Sequence, residues 1–374
     1  MPPTGFDPRS NPRVDAYVRQ LAGDAGIFGV IHPADEMYLY SLQSLKGCGE
    51  AAAILYYLKG RQIFLTVEEV VRWRFGGFSA VASFLDFASG FGRFTRFLVR
   101  ELSATRVSIS EIDPVAVEFQ KDAFGVKGLV SDADPGGFGL PDAFDVILAS
   151  SFFSHLPAPA FQAWLRRLYG LLRPGGLLLF SVHGKALLAE SAADWSEGIV
   201  FRAESETTRL DPRDYGTSYV TEEFVRRAVG EATKGKGSMS GFPFGFCAQQ
   251  DLYVVSRPSV PALSPLTLRR FPRGELDRFE IREEDVLVEG WAEGGPGERS
   301  PEVRLFIGGA RAARSQGGGP GPARRWSFTF GRSAASPDDV VRVEAEGEPG
   351  FSNIVAMGTL RPFLPGASSA VPSD

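Results

Sequence analysis

A short turn of mostly small residues follows an apolar run in the segment FLDFASGFGRFTRFL, residues 84–98. Asp86 lies at the end of the run, and helical spacing of apolar residues resumes at Phe94. A strand, a tight turn and the start of a helix let the backbone approach a nucleotide closely. The residues that would form this turn are Ala88, Ser89, Gly90, Phe91 and Gly92. The third glycine of the dinucleotide fingerprint is missing, so the turn alone is a weak signal.

Acidic residues end the next two apolar segments. Glu111 follows Asp86 by 25 residues, and its carboxylate can accept hydrogen bonds from both hydroxyls of a ribose. Asp132 ends a third segment, within reach of an adenine amino group, and Asp134 could take its place. Four further residues join this predicted cofactor site: Ile112, Ala133, Ala149 and Ser150.

These residues need a sheet that brings strand ends together. Short apolar strands alternate with helices of about 10–15 residues from residue 81 onward, which is typical of a parallel sheet covered on both faces. The carboxyl ends of such strands meet at one edge, where ligands bind. The fold class is therefore α/β.

Five segments together resemble the motifs of class I S-adenosylmethionine-dependent methyltransferases. FLDFASGFGRF resembles the first motif, ISEIDP (109–114) the ribose motif and VSDAD (130–134) the adenine motif. FDVILASSFFSHLP (144–157) and LLRPGGLLLFSVHG (171–184) resemble the fourth-strand and fifth-strand motifs. The resemblance spans about residues 80–255 and implies a Rossmann-like sheet, S-adenosylmethionine as cofactor and methyl transfer as activity. Ala88 stands where the family usually has glycine.

Two histidines are candidates for catalysis. His155 follows the fourth strand and His183 the fifth, so both belong at the ligand-binding edge. A hydroxyl acceptor would benefit from such a general base, and His183 is favoured over His155, because the family resemblance makes His155 mostly a structural or cofactor-side residue. Each could instead be a satisfied histidine bonded to nearby backbone. Weaker candidates are Glu36, Tyr215 and Tyr219, whereas His32 is placed outside the core.

The remaining chain divides by pattern into further parts. Residues 1–80 are predicted to form a helical cap, 81–256 the methyltransferase domain and 257–274 a proline-rich linker. Segments such as VLVEGWAE and EVRLFIGG alternate apolar and polar residues between turns, which predicts a β-sandwich over 275–364. Residues 365–374 are predicted to be disordered.

Composition and net charge limit which partners and cellular locations are expected for this protein. The 374 residues carry a net charge of −5, which argues against nucleic acid as a partner. Two cysteines cannot form a disulfide framework, and no cysteine–histidine cluster has the spacing of a metal site. The start lacks the apolar region of a signal peptide, and no apolar run reaches the length of a membrane span. A soluble, cytoplasmic protein is expected.

The acceptor is expected to be a small molecule or a glycan-like compound, methylated on oxygen. The segment RLDPRDYGTSYVTEEFV, residues 209–225, and FFSHLP resemble methyltransferases encoded with glycan-biosynthesis enzymes. Trp291 and Trp326 of the sandwich could stack on a sugar, although such residues more often fill the core. The sandwich could also position substrate, form a homo-oligomer or act as a spacer.

Two other functions are alternatives to methyl transfer. One is a non-catalytic scaffold that keeps the fold and binds carbohydrate through its sandwich, since no obvious base stands out. The other is a nicotinamide-dependent oxidoreductase, which the missing third glycine disfavours.

Overall fold

The computed structural model describes residues 5–23, 26–139, 144–188, 193–204, 210–258, 263, 265–295, 298–315 and 323–360. The predicted tail at 365–374 lies outside these residues. The chain groups into two compact units. The first contains Met1–Gly5, Asp24–Met37 and Lys59–Leu268, and the second contains Phe6–Gly23, Tyr38–Leu58 and Arg269–Asp374.

The first unit is built on a mixed sheet whose core is parallel. Strands β1 to β5 lie in the order β3-β2-β1-β4-β5, and all of these neighbours are parallel. The hairpin β8–β9 adds antiparallel to β5, while β7 pairs parallel with the end of β5 and β6 pairs antiparallel with β7. Their bounds are β1 Phe84–Phe87, β2 Val107–Glu111, β3 Lys127–Val130, β4 Phe144–Ala149, β5 Leu172–Gly184, β6 Ile199–Arg202, β7 Thr217–Val220, β8 Ser238–Phe246 and β9 Gln250–Ser256.

Helices cover this sheet and begin where the sequence provides capping residues. Asp113 caps one helix by accepting the Val115 N–H at 2.9 Å, and Pro114 occupies its first turn. Thr221 caps another by accepting the Phe224 N–H at 3.2 Å. The helices of the chain are α1 Pro12–Ala22, α2 Glu36–Ser44, α3 Gly49–Phe75, α4 Thr95–Glu101, α5 Pro114–Phe124, α6 Ala158–Gly170 and α7 Glu222–Thr233.

The central strands are apolar because both of their faces are covered. Val146, Ile147 and Leu148 are successive residues of β4, and all three are fully buried. Helices α6 and α7 pack over one face through a core cluster that includes Leu165 and Val225. A continuous apolar run is the pattern expected of a parallel strand between two layers, so the predicted α/β class is confirmed.

The second unit contains two antiparallel sheets, as the β-sandwich prediction requires. One sheet has the order β10-β11-β14 and the other β13-β12-β15-β16. Trp326 is buried in the core between apolar strand residues, so it is not available to stack on a sugar, while Trp291 is half-buried. The bounds are β10 Arg273–Ile281, β11 Asp285–Glu293, β12 Glu302–Ile307, β13 Ala310–Ser315, β14 Ala323–Gly331, β15 Val340–Glu346 and β16 Ser352–Thr359.

Helix α1 belongs to this second unit. The Arg342 guanidinium of β15 lies 4.7 Å from the Tyr17 ring centroid and 4.4 Å from that of Phe306, and it pairs with Glu344 at 2.7 Å. The N-terminal part of the chain is rich in helix, as predicted, with α1, α2 and α3 among its described residues. The domain boundaries drawn from the sequence remain a prediction. Within the described residues, no helix combines the length and the apolarity needed to cross a membrane.

Candidate functional site

The turn after β1 has a backbone that favours small residues. Ala88, Gly90 and Gly92 have φ angles of 54°, 55° and 77°, all in the left-handed region. Ala88 therefore keeps the conformation that glycine would adopt there, at a steric cost of about 1–2 kcal/mol. A Cβ added at Gly90 would meet no atom within 4 Å, so the turn leaves open space on that side.

Helix α5 supports this turn from behind. The Gln120 amide donates from Nε2 to the Ser89 hydroxyl and to the Gly90 carbonyl, both at 2.8 Å. A Cβ at Gly92 would lie 2.4 Å from the Phe124 ring and 2.8 Å from Gln120 Oε1. Gly92 is thus required by packing, whereas Gly90 borders space that a ligand can occupy.

The Glu111 carboxylate holds the same turn from the side. It accepts backbone N–H groups from Gly90 at 2.9 Å, Ile112 at 2.8 Å and Asp113 at 3.3 Å. Burial raises the pKa of Glu111, and these hydrogen bonds oppose that shift. The carboxylate at the end of β2 is therefore fixed in place beside the open side of the turn.

Asp86 is buried beneath the turn at the end of β1. Its Oδ2 accepts the Thr95 hydroxyl at 2.7 Å. Burial raises the pKa of Asp86 to about 7; the Thr95 hydrogen bond opposes this shift and the nearby Glu111 carboxylate adds to it. The carboxyl therefore supports the start of α4 and changes charge near neutral pH.

The other predicted cofactor residues follow neighbouring strands. Asp132 and Ala133 are exposed after β3, and Asp132 Oδ1 accepts the Asp134 N–H at 2.9 Å. Ala149 is the buried last residue of β4, and the half-buried Ser150 follows it. Because the parallel strands end at one edge, the topology places these residues along the same edge as the turn.

The two predicted catalytic histidines lie together among aromatic rings. The centroids of His155 and His183 are 6.0 Å apart. Tyr215 stacks on His155 at 4.8 Å, and Tyr219 lies 5.4 Å from His183. Glu36, the third weaker candidate, opens α2. The structure therefore brings both histidines and both tyrosines into one cluster.

Each histidine is held differently. Nδ1 of His155 lies 2.7 Å from the Gly216 carbonyl, which can only accept, so Nδ1 carries a proton and Nε2 is the basic nitrogen. Burial, and secondly His155, lower the pKa of His183 to about 4, while a hydrogen bond with the Ser218 backbone acts in the opposite direction. His183 is therefore neutral at physiological pH.

Sequence reasoning missed two polar residues beside His183. Gln250 Nε2 lies 3.1 Å from His183 Nε2, and its Oε1 accepts the Ser151 hydroxyl at 3.1 Å. Gln250 belongs to β9 and has no motif around it, so only the pairing of β9 with β5 reveals this contact.

His32, which was predicted to lie outside the core, packs beside the turn after β1. Its ring stacks on Phe91 of the turn, with centroids 4.6 Å apart and planes 10° apart. The buried Arg96 of α4 holds this segment by donating to the carbonyls of Phe28 at 3.1 Å and Val30 at 3.2 Å. Residues 28–32 therefore pack over the nucleotide-binding turn.

Comparison with known proteins agrees with this geometry. Residues 85–178 match a family model described as a methyltransferase domain. The matched segment runs from β1 into β5, so it contains the turn, Glu111, Asp132 and His155. No curated protein matches the sequence significantly.

Several solved structures are similar to part of this chain at low sequence identity. An S-adenosylmethionine-dependent methyltransferase from Clostridium acetobutylicum is 12% identical, with a TM-score of 0.39, covering 53% of this chain and 92% of that one. An O-methyltransferase family protein from Burkholderia thailandensis is 15% identical (TM-score 0.41, 66% and 72% covered). The N-methyltransferase NodS from Bradyrhizobium japonicum is 14% identical (TM-score 0.36, 54% and 97% covered).

The sheet order, the turn after β1 and the family match define the class of protein. Residues 85–178 carry a methyltransferase domain, and they lie in the first unit, whose parallel strands have the order β3-β2-β1-β4-β5. The chain is therefore an enzyme of the methyltransferase class with S-adenosylmethionine as its cofactor.

Proposed function

We propose that this protein transfers a methyl group to a hydroxyl of a small acceptor of the sugar or glycan-like kind. The observation that carries the proposal is the cluster of His155, His183, Tyr215 and Tyr219 at the ligand-binding edge. Aromatic rings provide flat surfaces for a sugar ring, and imidazoles provide a proton acceptor.

The residues of the turn fit the cofactor. The open space at Gly90 can admit a ligand against the backbone, and the Glu111 carboxylate beside it matches the two donor hydroxyls of a ribose. Five further residues at or just after the ends of neighbouring strands would help to hold the cofactor: Ile112, Asp132, Ala133, Ala149 and Ser150. When bound, the cofactor supplies a methyl group already activated by its sulfonium.

The chain's own residues align the acceptor and take up its proton. Proximity is the main contribution, because the activated methyl needs an oxygen held in line with its bond to sulfur. His155 is the better proton acceptor of the two histidines, since its Nδ1–H is fixed on the Gly216 carbonyl and Nε2 accepts. His183 is neutral, and its Nε2 is engaged with Gln250.

Titration calorimetry with S-adenosylhomocysteine tests the cofactor part of this proposal. Binding by the folded protein is expected, and its absence would favour the scaffold alternative. A panel of sugars, glycans, phenols and amines incubated with radiolabelled S-adenosylmethionine then tests the acceptor. Labelled product from nitrogen acceptors alone would overturn the hydroxyl assignment.

His155→Ala tests the base once an acceptor is found. We expect kcat to fall by about 10²–10⁴-fold while the affinity for S-adenosylhomocysteine changes less than about twofold. Gln249→Ala, a change at an exposed residue of the β8–β9 turn, is the control. An unchanged kcat in the His155 variant would contradict the role.

A further inference from the structure

A chain of hydrogen bonds ends on His183. The Ser151 hydroxyl donates to Gln250 Oε1 at 3.1 Å, and Gln250 Nε2 lies 3.1 Å from His183 Nε2. An amide nitrogen can only donate, so His183 Nε2 accepts. In the neutral ring the proton is therefore on Nδ1. The Ser151 N–H donates to Ser181 Oγ at 2.8 Å, which fixes the start of the chain.

Ser151 and Gln250, which form this chain of hydrogen bonds, lie in or close to segments with left-handed backbone angles. Ser151 has φ 53°, and Cys247 and Ala248, in the turn that leads into Gln250, have φ 55° and 59°. Hairpin turns of this shape normally use asparagine and glycine. Strained backbone persists where the surroundings over-determine it, and it concentrates at functional sites.

Specific contacts hold the strained β8–β9 turn. The Lys59 ammonium donates to the Cys247 carbonyl at 3.0 Å. Asp251 Oδ1 accepts the Phe244 N–H at 2.8 Å, and Phe244 also has a left-handed φ of 52°. The turn is thus fixed on both sides of Gln250, so that its amide is presented to Ser151 and His183.

Three neighbouring segments carry titratable groups near His183. His155 faces it after β4, Tyr219 from β7, and the Asp251 carboxylate of β9 lies against Gly184, the next residue. A second cation beside His155 would oppose protonation of that ring. Keeping His183 neutral therefore leaves His155 as the ring that takes a proton.

We propose that Gln250 and Ser151 are positioning residues that hold His183 as the neutral Nδ1–H tautomer beside His155. The assignment rests on the proposed function for its catalytic meaning only, because the tautomer is a property of the protein without acceptor. The amide nitrogen of Gln250 selects the tautomer, and the Ser151 hydroxyl holds the Gln250 side chain in place by donating to its Oε1.

Long-range ¹H–¹⁵N correlation spectra of the histidine side chains test this directly. The full chain contains only three histidines, so a protein prepared without a histidine tag gives three separate patterns. In the wild type, His183 should show a protonated Nδ1 and an unprotonated Nε2 between about pH 5 and pH 8. A protonated Nε2 in the neutral ring would overturn the proposal.

Three variants separate positioning from general damage. Gln250→Leu and Ser151→Ala should each replace the single tautomer by a mixture. Gln250→Glu should raise the midpoint of His183 titration by at least about one pH unit, because a carboxylate stabilises the protonated ring. The matched control is Gln249→Leu, since Gln249 is the exposed neighbour in the same turn, and it should leave the pattern unchanged.

Folding and cofactor binding are read separately. Each variant is checked by circular dichroism and by its affinity for S-adenosylhomocysteine, and a correctly folded Gln250→Leu protein with an unchanged tautomer would overturn the proposal. If the wild-type protein does not bind S-adenosylhomocysteine, the proposed function is wrong, but the tautomer result still stands. If Gln250→Leu fails to fold, Gln250→Glu gives the decisive shift.

Discussion

Glu111 has two tasks at the residue scale. It accepts three backbone N–H groups that shape the nucleotide-binding turn, and its position matches a ribose-binding acid. Glu111→Ala should weaken S-adenosylhomocysteine binding by about 1–3 kcal/mol, roughly 5- to 150-fold in Kd. Calorimetry measures this, with Glu118→Ala as the control because Glu118 forms an exposed pair with Lys121. Equal affinity in both variants would remove the ribose assignment.

Asp86 should make stability depend on pH. A carboxyl whose pKa is raised on folding binds its proton more tightly in the folded chain, so stability falls as pH rises between the unfolded value of 3.8 and the folded value of about 7. Asp86→Asn keeps an acceptor for Thr95 and removes the charge. The variant should therefore gain stability relative to wild type between about pH 5 and pH 8 in urea titrations. A constant difference across that range would contradict the assignment.

The acids of the site were predictable because each follows a recognisable apolar strand. Asp86, Glu111 and Asp132 all lie at or just after strand ends in the structure. Gln250 and His32 were not predictable, since neither sits in a local pattern that signals chemistry. Their importance comes from contacts with Ser151, His183 and Phe91, which only the folded chain creates.

At the scale of elements, the two glycines of the turn should respond differently. Gly90→Ala meets no atom, so it should cost about 1–2 kcal/mol of stability from its left-handed φ, yet reduce S-adenosylhomocysteine binding. Gly92→Ala adds a clash with Phe124 and Gln120 and should cost about 2–5 kcal/mol. Thermal unfolding and calorimetry compare the variants. The reverse ranking of stability would show that the turn packs differently.

The alternation of strands and helices was visible in the sequence because its signals are local. Proline at the first turn and threonine at the N-cap are local helix-start signals, and α5 and α7 begin at Pro114 and just after Thr221, while apolar runs form β4 and β5. Strands β6 and β7 were not predicted. Both strands are only four residues long and mostly half-buried, so their sequence pattern is weak. Strand β7 pairs with the end of β5, a segment distant in sequence.

At the scale of the whole molecule, α1 should stabilise the C-terminal strands. Tyr17 is buried against Arg342 and contacts Glu344, and burial raises its pKa. Tyr17→Ala should destabilise the second unit by about 3 kcal/mol. Hydrogen exchange should therefore speed up in β15 and stay unchanged in β4.

Tyr40→Ala is the control for that experiment, because 51% of the Tyr40 side chain is exposed. Equal protection of β15 in wild type and Tyr17→Ala would contradict a shared unit. The sequence could not reveal this association, since an amphipathic helix does not specify which distant sheet covers its apolar side. The helices of the N-terminal part were predictable from local patterns, whereas the contact of α1 with β15 was not.

The division of the chain also sets an order of events during translation. Residues 6–23 leave the ribosome early, yet β15 is among the last segments of their unit to be synthesised. The methyltransferase segment Lys59–Leu268 emerges between them and can fold as it appears. Until residues 340–346 arrive, Tyr17 has no sheet to cover it. A truncated nascent chain therefore exposes the apolar side of this amphipathic helix to chaperones and proteases, and only chains carrying these strands cover it.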